Sequence, residues 1–162
     1  MSSPPTPEAS PPTEADRRIV AHQLGRPSIA EFRVAVRCPH GAPAVLANGP
    51  RDRRGHPFPT RNWLSCGALA TGVSRLEARG GAKSLEADAA MVGALRDAQR
   101  AHARLHDGHL VAGAAETGHA KCLHAHLAFA LAEGGNPVGE WIWERAGLAW
   151  PEECCSTSEA GE

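Results

Sequence analysis

The chain has 162 residues and a formal net charge of −1, a length that suits one ordinary domain. Its apolar fraction is 42%, with three Phe and no Tyr, so the core must rely on Leu, Val and close Ala packing, which favours helices over a β-sandwich. There is no apolar run of about 18 residues to span a membrane, and residues 1–12 lack the apolar stretch of a secretory signal. Both point to the cytoplasm, where five cysteines, an odd number, are expected to pack, bind metal or react rather than form a disulfide framework.

Residues 1–12, rich in Pro, Ser and Thr, are expected to be a disordered tail. Thr13 caps a first helix that runs to about Leu24 and ends at Gly25 and Pro27. Phe32, Val34 and Val36 then alternate with Arg33, Ala35 and Arg37, the period of a half-buried strand. Cys38 shares the parity of the apolar set, so its thiol should point inward. Cys-Pro-His-Gly at 38–41 forms a tight turn, and residues 44–47 return as the second strand of a hairpin.

Residues 48–62 form a loop carrying Arg51, Arg53, Arg54 and Arg61. From Arg17 to Arg61 nine Arg stand against Glu31 and Asp52, so this lobe could meet a phosphate-bearing ligand or nucleic acid; the blander expectation is solvated charge facing the acidic remainder. Ser65 or Cys66 opens a helix with the stripe Leu69, Val73 and Leu76, ended by Gly80 and Gly81. A single long helix is expected over residues 84–106, with Leu85, Ala89, Val92, Leu95, Ala98 and Leu105 inward. His102, His106 and His109 should be exposed beside the ridge Arg96, Arg100 and Arg104. A further helix covers residues 120–133. Asn136 and Pro137 start a last one with Trp141, Ile142 and Trp143, and residues 151–162, including Cys154 and Cys155, form an acidic flexible tail. The whole is α+β: one mainly helical domain over residues 13–150, with one short β-hairpin and disordered tails.

Three segments carry the informative chemistry: 37–41, 63–66 and 121–126. On regular helical geometry Cys122 and His126 share a face, whereas His124 falls about 160° away unless the first turn is irregular. Cys66 and Cys122 both fall at helix starts, where unpaired N–H groups and the helix dipole favour a thiolate. Zinc takes four N or S ligands, so Cys38, Cys66, Cys122 and His126 would complete a site, with His40 as substitute ligand and His124 as an alternative. An iron–sulfur cluster on the three cysteines is the other metal reading. The spacing also leaves open a closed structural zinc in a binding or adaptor module with a protein partner, and a Cys nucleophile or redox thiol with His40, His124 or His126 as base. If the centre is a metalloenzyme, Glu77 is the nearest candidate for a general base.

The motifs Arg37-Cys38-Pro39-His40-Gly41, Phe58-Pro59-Thr60, Trp63-Leu64-Ser65-Cys66, Ser74-Arg75-Leu76-Glu77, Lys121-Cys122-Leu123-His124-Ala125-His126 and Asn136-Pro137-Val138-Gly139 resemble an actinobacterial family known only as domain of unknown function 501 (DUF501). Gly67 departs from that pattern, standing where the family often has proline. The resemblance implies no activity. It implies a genomic neighbourhood of enolase, a septum-formation protein and an exopolyphosphatase-like enzyme.

Overall fold

The computed structural model describes residues 8–27 and 31–153. Six helices and a three-stranded antiparallel sheet follow in the order α1 (Glu14–Leu24), β1 (Phe32–Arg37), β2 (Pro43–Asn48), β3 (Asn62–Leu64), α2 (Gly67–Ala78), α3 (Gly81–Ala87), α4 (Val92–Leu105), α5 (Leu123–Glu133) and α6 (Pro137–Arg145). The sheet order is β1-β2-β3. It is a mainly helical domain with a small sheet, as the composition implies.

Thr13 and Asp16 close a reciprocal capping box at the start of α1, and Gly25, at φ +69°, ends it in the left-handed region. Ahead of α1, Ser10 exchanges both backbone hydrogen bonds with Val34, at 3.0 and 2.8 Å, so the last residues of the segment expected to be disordered lie along β1. The rest of that segment, and Cys154 and Cys155, lie outside the described residues.

The strand expectation needs one correction. Val34 pairs with Leu46 and Val36 with Val45, so Ala35 is an extra residue on β1, a bulge. The bulge reverses the parity: Phe32 and Val34 pack with Val20 and Leu46 in a small cluster beneath α1, while Ala35, Val36 and Cys38 join the main core on the other face. Cys38 is buried as expected, but the bulge, not an unbroken alternation, turns it inward.

The single helix expected over residues 84–106 is two. Asp88 ends α3; its Oδ1 accepts the Ala90 N–H and its Oδ2 the Trp141 indole N–H. That side chain competes with helical backbone bonding and breaks the rod. Ala89, Val92 and Leu105, expected inward, are exposed. The elements converge on α5, where Leu123, Ala125 to Ala130 and Ala132 are buried. Its close approach to α6 depends on Gly139, where a Cβ would overlap that of Ala130.

Candidate metal centre

The seam between α2 and α5 collects the reactive groups. Along α2, Ala70, Ser74 and Glu77 follow at i, i+4 and i+7 and share one edge of the helix. Across from them, α5 begins at Cys122, its N-cap, with extended φ −144° and ψ 111°. This extended residue is the irregular first turn that regular helical geometry lacks. Cys122 therefore sits with His124, while His126 points into the core.

Glu77, Cys122 and His124 each offer one ligand atom, and all three atoms lie within 4.8 Å of one another, an arrangement suited to a metal ion. Glu77 Oε1 accepts the Leu123 backbone N–H at 3.2 Å and lies 2.6 Å from His124 Nδ1. His124 Nε2 lies 3.1 Å from the Ala70 carbonyl and 3.0 Å from Ser74 Oγ. A carbonyl and a carboxylate only accept, so Nε2 donates to Ala70, Nδ1 donates to Glu77, and both ring nitrogens carry a proton. Ligating histidines commonly show this arrangement, with the ring nitrogen away from the metal held by a backbone oxygen.

The Cys122 sulfur, first, and the Glu77 carboxylate raise the His124 imidazole to about 9, against the opposing effect of burial. The His124 and Glu77 side chains are 29% and 32% exposed and Cys122 is half-buried, so solvent reaches the group.

The other expected ligands are placed elsewhere. Cys66 is the buried N-cap of α2, eleven positions before Glu77, or about 16 Å of helical rise away. Cys38 is buried at the end of β1; its N–H binds the Ala42 carbonyl, and that of Cys66 binds Ala44, so both lie at the leading end of β2. His40 is exposed and meets the Pro151 carbonyl at 3.0 Å. His126 is fully buried, and burial lowers it to about 4.

Among the basic residues, Arg61 pairs with Glu133 at 3.3 Å and donates to the Leu105 carbonyl, which caps the end of α4. Arg53 pairs with Glu31 and Arg51 donates to Gly55, while Arg54 lies exposed near Asp52. Three of the four arginines thus have partners within the chain.

His102 and His106 correct a further expectation. Both are 1% exposed, because α4 turns that face toward α5 rather than toward the arginine ridge.

Spacing alone does not bring Glu77 into the candidate ligand group, or Ser74 to within 3.0 Å of His124 Nε2. The signal available was the polar stripe Ser74 and Glu77 beside the apolar stripe Leu69, Val73 and Leu76. The model of a family described as protein of unknown function (DUF501) matches residues 34–112 and 96–144, which together hold every residue of this seam. No curated protein and no solved structure matches the chain.

Proposed function

The chain belongs to the DUF501 family, whose description carries no activity, and from the α2–α5 seam we propose that Glu77, Cys122 and His124 hold a zinc ion with one coordination position open. The observation that carries this reading is the convergence of one oxygen, one nitrogen and one sulfur ligand within 4.8 Å, with His124 Nε2 held by the Ala70 carbonyl. A carboxylate and a thiolate supply two negative charges, which match a divalent ion, and O, N and S are all zinc donors. The ion would replace the proton shared by Nδ1 and Glu77.

Three protein ligands leave a fourth position for an exchangeable ligand, where zinc acts as a Lewis acid. The partial exposure of Glu77 and His124 favours this open form over a closed structural centre. Elemental analysis of protein purified without a metal-affinity tag tests the reading. Cys122→Ser should carry one zinc per chain fewer than the wild type, and Cys66→Ser should keep the wild-type content. A zinc content unchanged in Cys122→Ser, or lowered equally in Cys66→Ser, would count against this ligand set.

A second reading has support of its own. The Cys122 sulfur beside the His124 imidazole is also the Cys–His pairing that a cysteine nucleophile uses. Protein that is free of metal as purified, with Cys122 alkylated faster than Cys38 and Cys66, would favour it.

A further inference from the structure

Away from the seam, the molecule buries a second group of histidines. His102 on α4, His106 at its C-cap and His126 on α5 are each no more than 1% exposed. The rings of His102 and His106 stand 5.3 Å apart, and His102 packs edge-on against Phe129, one turn along α5 from His126. His126 lies near enough to feel the charge of His102.

The hydrogen bonds fix which nitrogens are free. His102 Nδ1 lies 2.7 Å from the His109 carbonyl, and His106 Nε2 lies 2.7 Å from the Phe58 carbonyl. Both must be donors, since a carbonyl only accepts, so His102 Nε2 and His106 Nδ1 keep their lone pairs. His106 Nδ1 and both nitrogens of His126 are buried without a hydrogen-bond partner among the described residues. Each such group costs about 1–3 kcal/mol, a cost that a polar occupant would remove.

We propose that His102 Nε2, His106 Nδ1 and a ring nitrogen of His126 form a second metal site, for a transition ion of the imidazole-preferring class such as zinc, nickel or copper. Two of the three rings already hold the outer nitrogen on a backbone carbonyl, as ligating histidines do. Among the described residues only Glu77, Cys122 and His124 bring three ligand atoms within 4.8 Å, so capture requires the His126 ring to turn. It is the one ring of the three that no hydrogen bond holds. Arg61 acts on both His102 and His106, but its pairing with Glu133 offsets its charge. Half-buried His109 lies beside the group, its ring 5.9 Å from that of His106.

Cobalt titration of the full, metal-stripped chain tests this separately from the seam, because only a thiolate site gives a sulfur-to-cobalt charge-transfer band. Cys122→Ser should bind one Co²⁺ per chain, with ligand-field bands and no charge transfer. His126→Leu should keep the charge-transfer band, which reports that it is folded, and bind one ion fewer than the wild type. A wild type without that band, losing its one ion in a folded His126→Leu chain, would reject the seam reading and support this one. An unchanged count in His126→Leu, or a Cys122→Ser chain with native circular dichroism that binds no cobalt, overturns the second site.

Discussion

Glu77 has two functions in one carboxylate. It anchors the start of α5 through the Leu123 N–H and accepts from His124 Nδ1 as the anionic member of the candidate ligand group. Glutamine keeps an acceptor oxygen for Leu123 but removes the charge. Glu77→Gln should therefore weaken zinc binding by at least about tenfold while changing stability by less than about 1 kcal/mol. Competition with a chelating dye measures the first and denaturant unfolding the second. Asp16 is the other residue whose charge matters, because the Arg37 guanidinium grips both its oxygens at 2.8 Å. Above all this pairing lowers the Asp16 carboxyl from 3.8 to about 2. A depressed acid stabilises the fold above its unfolded value and loses that contribution as pH falls through the folded one. Asp16→Asn should cost about 2 kcal/mol at pH 7, and the difference from wild type should shrink between pH 3.8 and pH 2.

At the level of elements, the turn between α3 and α4 rests on Asp88. Its carboxylate binds the Ala90 N–H and the largely buried Trp141 indole, tying the break in the helix to α6. Asp88→Ala leaves the Trp141 N–H without that partner and should lower stability by about 1–3 kcal/mol in urea melts. An effect under about 0.5 kcal/mol, the usual surface value, would mean the tie contributes little. The same residue marks the limit of sequence reading. Thr13, Gly25, Asn136 and Pro137 announce helix ends through local backbone chemistry, and each stands where its motif requires. Asp88 interrupts a well-formed helical pattern with the support of a distant partner, the Trp141 indole 53 residues later, which donates to it. The Ala35 bulge is similar, since nothing in the alternation of residues 32–37 distinguishes it.

Across the whole molecule, α5 is the element on which the others meet, and its first turn carries the candidate centre. Cys122 and His124 were legible as a pair of ligand types, but their geometry depended on an N-cap with extended backbone, which helical periodicity does not describe. Grouping Cys38, Cys66 and Cys122 followed from chemistry alone; the length of α2 sets Cys66 at the end away from Glu77. The buried histidines were misplaced for a related reason, because the arginine ridge described only the outer face of α4. X-ray absorption at the zinc edge of protein purified without an affinity tag tests the central claim most directly. The account predicts one sulfur at about 2.3 Å, with the remaining neighbours nitrogen or oxygen at about 2.0–2.2 Å, and loss of the sulfur shell in Cys122→Ser. A shell of two or more sulfurs, or a single sulfur that persists in Cys122→Ser, would contradict it.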